Sequence, residues 1–305
     1  MLRRFIATAG LLTAVTTASA AEVPGPLVTP TWLADHHEEA TVVDVRAKPE
    51  AFASEGHIPD AALARWGNIR VAGEEAGVSL RKMLPGPDTF RDLMRSWGVD
   101  KGEALIITSP GKKPGHFAHA ARLYWQVKYY GHDNVALLDG GNAAWSAGRD
   151  LVPGDTAPEP GSFRVRAERD GIHATTAEVA KAVEDDDTQL IDNRPLPFYL
   201  GLSQKSYVQA AGHIPGAKLM PFKYLVAGDD ALTVRPEDQL RDFAEAMGID
   251  PEAPAITYCN SGNVCTAGWF VLHEILGNDN VRSYDGSMHA WTKDPERPTT
   301  TMHME

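Results

Sequence analysis

Short apolar runs alternate along this chain with longer stretches whose apolar positions recur every three or four residues. Thr41 to Val45, Ala104 to Thr108 and Val135 to Leu138 read as strands, and Thr89 to Trp97 and Phe117 to Tyr130 as helices. The alternation recurs in the second half, where the apolar run Ala253 to Thr257 precedes a polar loop and a helix-like segment, Thr266 to Leu276. Strand and helix in turn predict an α/β fold whose open, mostly parallel sheets carry helices on both faces. In such sheets, sites form at the carboxyl ends of the strands.

The two halves repeat each other. Val42-Val43-Asp44-Val45-Arg46 and Gly56-His57-Ile58-Pro59-Asp60-Ala61 match Leu190-Ile191-Asp192-Asn193-Arg194 and Gly212-His213-Ile214-Pro215-Gly216-Ala217. Trp97-Gly98-Val99-Asp100 matches Met247-Gly248-Ile249-Asp250, and Leu138-Asp139-Gly140-Gly141 matches Tyr284-Asp285-Gly286-Ser287. Four blocks in one order indicate a duplicated domain. The first unit is read as 21–150 and the second as 171–305. Between them, 151–170 is rich in Pro, Gly and acidic residues near its start and reads as a linker.

Tyr258-Cys259-Asn260-Ser261-Gly262-Asn263-Val264-Cys265 carries the candidate chemistry. A strand ending in a cysteine, a tight polar loop and a helix N-terminus converge N–H dipoles on the sulfur and favour a thiolate. A small buried hydrophobe is the bland alternative for Cys259. The repeat supplies a control: eleven residues after Gly248 is Cys259, and eleven after Gly98 is Ser109. A serine hydroxyl without an adjacent base is a poor nucleophile, and Pro110 removes a loop N–H. The first unit is therefore read as catalytically silent.

Arg3-Arg4, the apolar stretch Phe5 to Val15 and Ala18-Ser19-Ala20 follow the order of a secretory signal peptide, 1–20. The expected product is a periplasmic protein with no membrane association once this segment is cleaved. Losing Arg3 and Arg4 takes the formal charge from −12 to −14. With no basic run, nucleic acid and anionic membrane are poor partners. Both cysteines lie in one loop, so neither a disulfide framework nor a CxxC zinc pair is indicated.

Taken in this order, the paired Asp-x-Arg and Gly-His-Ile-Pro-x-Ala motifs, the Asp-Gly turns and the Cys259 loop resemble the tandem-domain rhodaneses. These are the thiosulfate and 3-mercaptopyruvate sulfurtransferases, and the resemblance spans nearly the whole chain after 1–20. It implies two rhodanese-like domains, of which the second carries a persulfide-forming cysteine, matched by Cys259. Thiosulfate or a similar small donor would pass its outer sulfur to Cys259, and cyanide, a thiol or a protein thiol would accept it. Backbone N–H groups of Asn260, Ser261, Gly262, Asn263 and Val264 would hold the persulfide, with no metal or organic cofactor. The family's substrate-anion arginine falls at Phe198, four residues after Arg194. That leaves Arg194, Phe198 and Lys205 as candidate substrate contacts and predicts weak thiosulfate binding. A persulfide carrier and a mercaptopyruvate-specific enzyme are the alternatives. A Cys-x5-Arg phosphatase is disfavoured, since position 265 is Cys265.

His57 and His213 recur in both halves and read as turn residues rather than bases, and Asp44/Arg46 and Asp192/Arg194 as structural pairs. Asp285-Gly286-Ser287 reads as a strand-to-helix turn with an N-cap. Trp145 and Trp291 read as core. Cys265 reads as a packing residue, with a resolving thiol for Cys259 as its alternative.

Overall fold

The computed structural model describes residues 21–185 and 187–302, so the predicted export segment lies outside the described residues. The first half contains β1 (Leu27–Val28), β2 (Ala40–Arg46), β3 (Ala62–Arg65), β4 (Val71–Glu75), β5 (Val78–Met83), β6 (Ala104–Thr108) and β7 (Val135–Leu138). The second contains β8 (His173–Ala174), β9 (Gln189–Asp192), β10 (Lys218–Leu219), β11 (Val226–Ala227), β12 (Thr233–Val234), β13 (Ala255–Tyr258) and β14 (Val281–Tyr284). Two all-parallel sheets result, ordered β1-β7-β6-β2-β3 and β8-β14-β13-β9-β10. The two orders are identical once the repeat is superimposed. β4-β5 and β11-β12 are separate antiparallel hairpins. The central strands are buried on both faces, which is why they read as unbroken apolar runs: all five residues of β6 are buried.

The helices are α1 (Pro30–Asp35), α2 (Glu50–Glu55), α3 (Pro87–Ser96), α4 (Pro114–Tyr129), α5 (Gly141–Ser146), α6 (Thr176–Asp185), α7 (Leu196–Tyr199), α8 (Glu237–Ala246), α9 (Val264–Trp269) and α10 (Ser287–Trp291). α3 buries one stripe, Phe90 and Met94. α4 is buried nearly all round, because it packs on the first sheet and also against α9. The helix expected over Thr266 to Leu276 begins earlier, at Val264, and widens into π-type turns over Phe270–Ile275.

The halves share a core. Phe117 and Tyr124 of α4 meet Phe270 edge-on at 5.8 and 5.0 Å, and the Tyr124 hydroxyl donates to Glu274 at 2.8 Å. The hairpins are exchanged across this junction. Leu84 N–H, just after β5, donates to Asp285 at 2.7 Å, and Val234 N–H of β12 donates to Asp139 at 2.8 Å. The segment expected as a linker is no free tether. Phe163 is buried 5.9 Å from Phe90, and the N–H groups of Gly161 and Phe163 bond the carbonyls of Arg95 and Val99.

Candidate active site

Cys259 follows directly on β13, the central strand of the second sheet, and is 2% exposed. Each carbonyl of the loop after it is held away from the sulfur. Met288 and His289 of α10 donate backbone N–H groups to the carbonyls of Cys259 and Asn260 at 3.1 and 3.0 Å. Arg70 donates to the Ser261 carbonyl at 3.4 Å and Arg122 to that of Gly262 at 2.6 Å. The Asn263 carbonyl accepts from Thr266, through its N–H at 3.1 Å and its hydroxyl at 2.6 Å. With carbonyls outward, N–H groups face inward, and Asn263 N–H donates to Cys259 Sγ at 3.2 Å.

Ser287 is the post on which the loop stands. Its Oγ accepts from Cys259 N–H at 3.1 Å and Gly262 N–H at 3.2 Å, and donates to the Tyr284 carbonyl at 2.7 Å. It is buried at φ +50°, where the first domain has Gly141 at φ +59°. Left-handed backbone is unfavourable for a side chain, so the hydroxyl is kept against local strain. The N-cap reading of this turn is thus corrected: no side-chain cap bond forms at α10. Gly262, at φ +66°, has no room for a Cβ, which would lie 2.0 Å from Asp285 Oδ1.

Burial alone would raise the Cys259 thiol pKa and is the largest single influence. Hydrogen bonds from the Cys265 thiol and from the N–H groups of Cys265, Ser261 and Asn263 outweigh it and bring the thiol down to about 5. Cys265 goes the other way, well above the ordinary thiol range, through burial and its bond to the Cys259 sulfur. One sulfur is therefore a thiolate and its neighbour a proton donor at neutral pH. Both cysteines are free, and Cys265 packs against Ser283 Oγ at 3.6 Å.

Above the sulfur lies a cavity of about 280 Å³. Of the predicted residues, Cys259, Asn260, Ser261, Asn263 and Val264 line it, as do Arg194, Phe198 and Lys205, whereas Gly262 does not, facing Asp285 and Arg122 instead. Arg194 is paired with Asp192 and reaches Asn260 Oδ1 at 3.4 Å. Lys205 is exposed, its Nζ 5.5 Å from the Phe198 ring centre. Tyr207 and Phe222 complete this side. Among the described residues, no cluster of three or more His, Cys, Asp or Glu side chains is placed to hold a metal.

Arg70 and Lys82 were missed in the sequence, and both come from the first domain to line the same cavity. They add two cations to the candidate contacts Arg194 and Lys205. Arg122, also from the first domain, is wholly buried, bonded to both Gly262 O and Asp285. The repeat held a signal for two of these residues, Arg70 and Arg122. Counting through the matched blocks, Arg70 falls opposite Val226 and Arg122 opposite Leu272, so charge appears where the counterpart is apolar.

The remaining motifs are structural. His57 stacks on Phe52 at 3.8 Å and His213 on Tyr199 at 3.7 Å, the same arrangement in both halves. Asp44 and Arg46 form a buried pair like that of Asp192 and Arg194. Trp145 and Trp291 are core.

The family model described as a Rhodanese-like domain matches residues 29–148 and again 175–294. A Haloferax volcanii protein named "Putative thiosulfate sulfurtransferase" is 32% identical over 279 residues, covering 87% of this chain and 92% of that one. The sulfur carrier protein TtuD of Thermus thermophilus is 28% identical, covering 88% and 94%. The solved 3-mercaptopyruvate sulfotransferase SseA from Escherichia coli superimposes with a TM-score of 0.73 at 26% identity, covering 86% of this chain and 98% of that one. Both halves match the family in sequence and share one strand order: this chain is a tandem-domain member of the rhodanese-like family.

Proposed function

We propose that this protein is a sulfurtransferase that moves a sulfane sulfur from a small anionic donor to a thiol or cyanide through a persulfide on Cys259. The observation carrying this reading is the cradle itself. A thiolate is held by inward N–H groups on the floor of a cavity with cationic walls and no carboxylate. With thiosulfate, the Cys259 thiolate attacks the outer sulfur, the S–S bond breaks, and its electron pair leaves with sulfite. The product is a Cys259 persulfide anion, stabilised by the same N–H groups. A nucleophilic acceptor then removes the outer sulfur and restores the thiolate. Intact mass after incubation with thiosulfate or 3-mercaptopyruvate tests this: one added sulfur on the wild type and none on Cys259→Ser is expected. No added sulfur from either donor would overturn it.

The relative named as a sulfur carrier supports a second reading, in which the persulfide is presented to a protein thiol without rapid turnover. Loading without multiple turnovers on cyanide separates it from the first. The 1–20 segment supports export to the periplasm, with Ala21 as the expected N-terminus of the processed chain. N-terminal sequencing of the fractionated protein tests this.

A further inference from the structure

We propose that the catalytically silent first domain supplies the specificity-determining residues of the Cys259 site. Arg70 and Lys82 receive the anionic end of the sulfur donor, in place of the position occupied by Phe198. This rests on the sulfurtransferase reading and adds to it the origin and number of the charges that select the donor.

Arg70 is fixed in place. Its guanidinium lies 3.9 Å from the Trp66 ring centre, and Trp66 in turn stacks on His119 at 4.1 Å. Burial, followed by the Arg70 charge, pushes His119 down to about 4, so this backing is neutral at pH 7. Arg70 Nε is buried and has no hydrogen-bond partner in the structure. An arginine oriented by an aromatic face, with a donor unspent, is suited to an oxyanion. Lys82 stands with its amine 4.0 Å from the Tyr207 ring centre, on a residue at φ +72°. That backbone is uncommon for lysine.

The charge count bears on the donor. Among the described residues, Arg70, Lys82 and Lys205 have no carboxylate within 4.0 Å, whereas Arg194 is committed to Asp192. With Cys259 ionised, the cavity keeps two positive charges in excess, which a dianionic donor neutralises and a monoanionic one does not. After sulfur transfer the dianion is the leaving group, so the same two side chains hold it as it departs.

The experiment compares alkylation of Cys259 by iodoacetate and iodoacetamide in the full-length protein, alongside thiosulfate kinetics. The two reagents share the thiolate and differ in charge, so their rate ratio reads the field in the cavity. Arg70→Gln and Lys82→Asn are the variants, asparagine being tolerant of positive φ. Each should lower the iodoacetate-to-iodoacetamide ratio about tenfold and raise the thiosulfate KM at least tenfold, with a smaller change in kcat. Arg70→Lys should recover part of both. A ratio and KM within about twofold of wild type in both variants would overturn the proposal. So would a tenfold loss of kcat at unchanged KM and ratio, which assigns Arg70 to loop support through Ser261 alone. Should the wild type accept no sulfur from any donor, the functional reading fails instead, and the alkylation ratio still decides where the charges come from.

Discussion

At the scale of single residues, the chemistry depends on which groups face the Cys259 sulfur. A thiol brought down to about 5 is ionised across the neutral range. Its rate of alkylation by iodoacetamide should rise with pH through about 5 and stay level from about 6 to 8, where an ordinary thiol keeps rising to about 8.5. A profile that climbs through pH 8 would show that the N–H groups do not hold the thiolate. Ser287 allows a sharper test. Ser287→Gly relieves the positive φ and removes the hydroxyl, so the N–H groups of Cys259 and Gly262 lose their acceptor. Ser287→Ala removes the hydroxyl and keeps the strain. Both should lower kcat/KM by tenfold or more, with Ala the less stable by about 1 kcal/mol in denaturant titrations. Equal stability of the two would mean that φ +50° carries no strain here.

At the scale of elements, the loop is set by contacts that no single element provides. α10 takes two of its carbonyls, α9 takes one through Thr266, and arginines from the first domain take two. Gly262→Ala should therefore disrupt the cradle although glycine-to-alanine is a small change, because the Cβ would lie against Asp285 and the Arg122 guanidinium. A loss of sulfur transfer exceeding about tenfold, with a raised Cys259 pKa in the alkylation profile, is expected. In the first domain the equivalent loop has Ser109, whose carbonyl accepts from Asn142 N–H at 2.8 Å, as Cys259 O accepts from Met288. The scaffold is kept while the cysteine is replaced by serine. Ser109→Ala should leave sulfur transfer within about twofold of wild type, and a comparable loss to that of Cys259→Ser would contradict a single active domain.

At the scale of the whole molecule, the two domains are joined through Arg122 and Asp285, a buried ion pair spanning the junction. Removing one partner strands the other without solvent. Arg122→Met should destabilise the protein by about 3–5 kcal/mol, and Arg122→Met with Asp285→Asn by less than Arg122→Met alone. Calorimetry should show one cooperative transition for the wild type, since the apolar core runs through both halves. Two separated transitions in the wild type would mean that the junction does not couple them.

The sequence by itself determined the duplicated α/β architecture, the strand ends at which sites form, and the cysteine that is the candidate nucleophile. Those depend on local periodicity and on residues close together in the chain, such as the Cys259 loop and its serine-bearing counterpart around Ser109. Only the tertiary structure decided which groups surround the sulfur. Arg70, Lys82 and Arg122 precede Cys259 by more than 130 residues, and the repeat marks Arg70 and Arg122 only as charges opposite apolar counterparts, without pointing to Cys259. The expected linker reads from its Pro, Gly and acidic residues, which do not show that Phe163 anchors it in the first domain's core. Ser287 looked like a cap because its motif is a turn, and its role as the loop's post appears only once β14 and β13 lie side by side. Charge on one domain becomes part of a site on the other only after the shared core has closed, because burial and distance, not order along the chain, set the field at the thiolate.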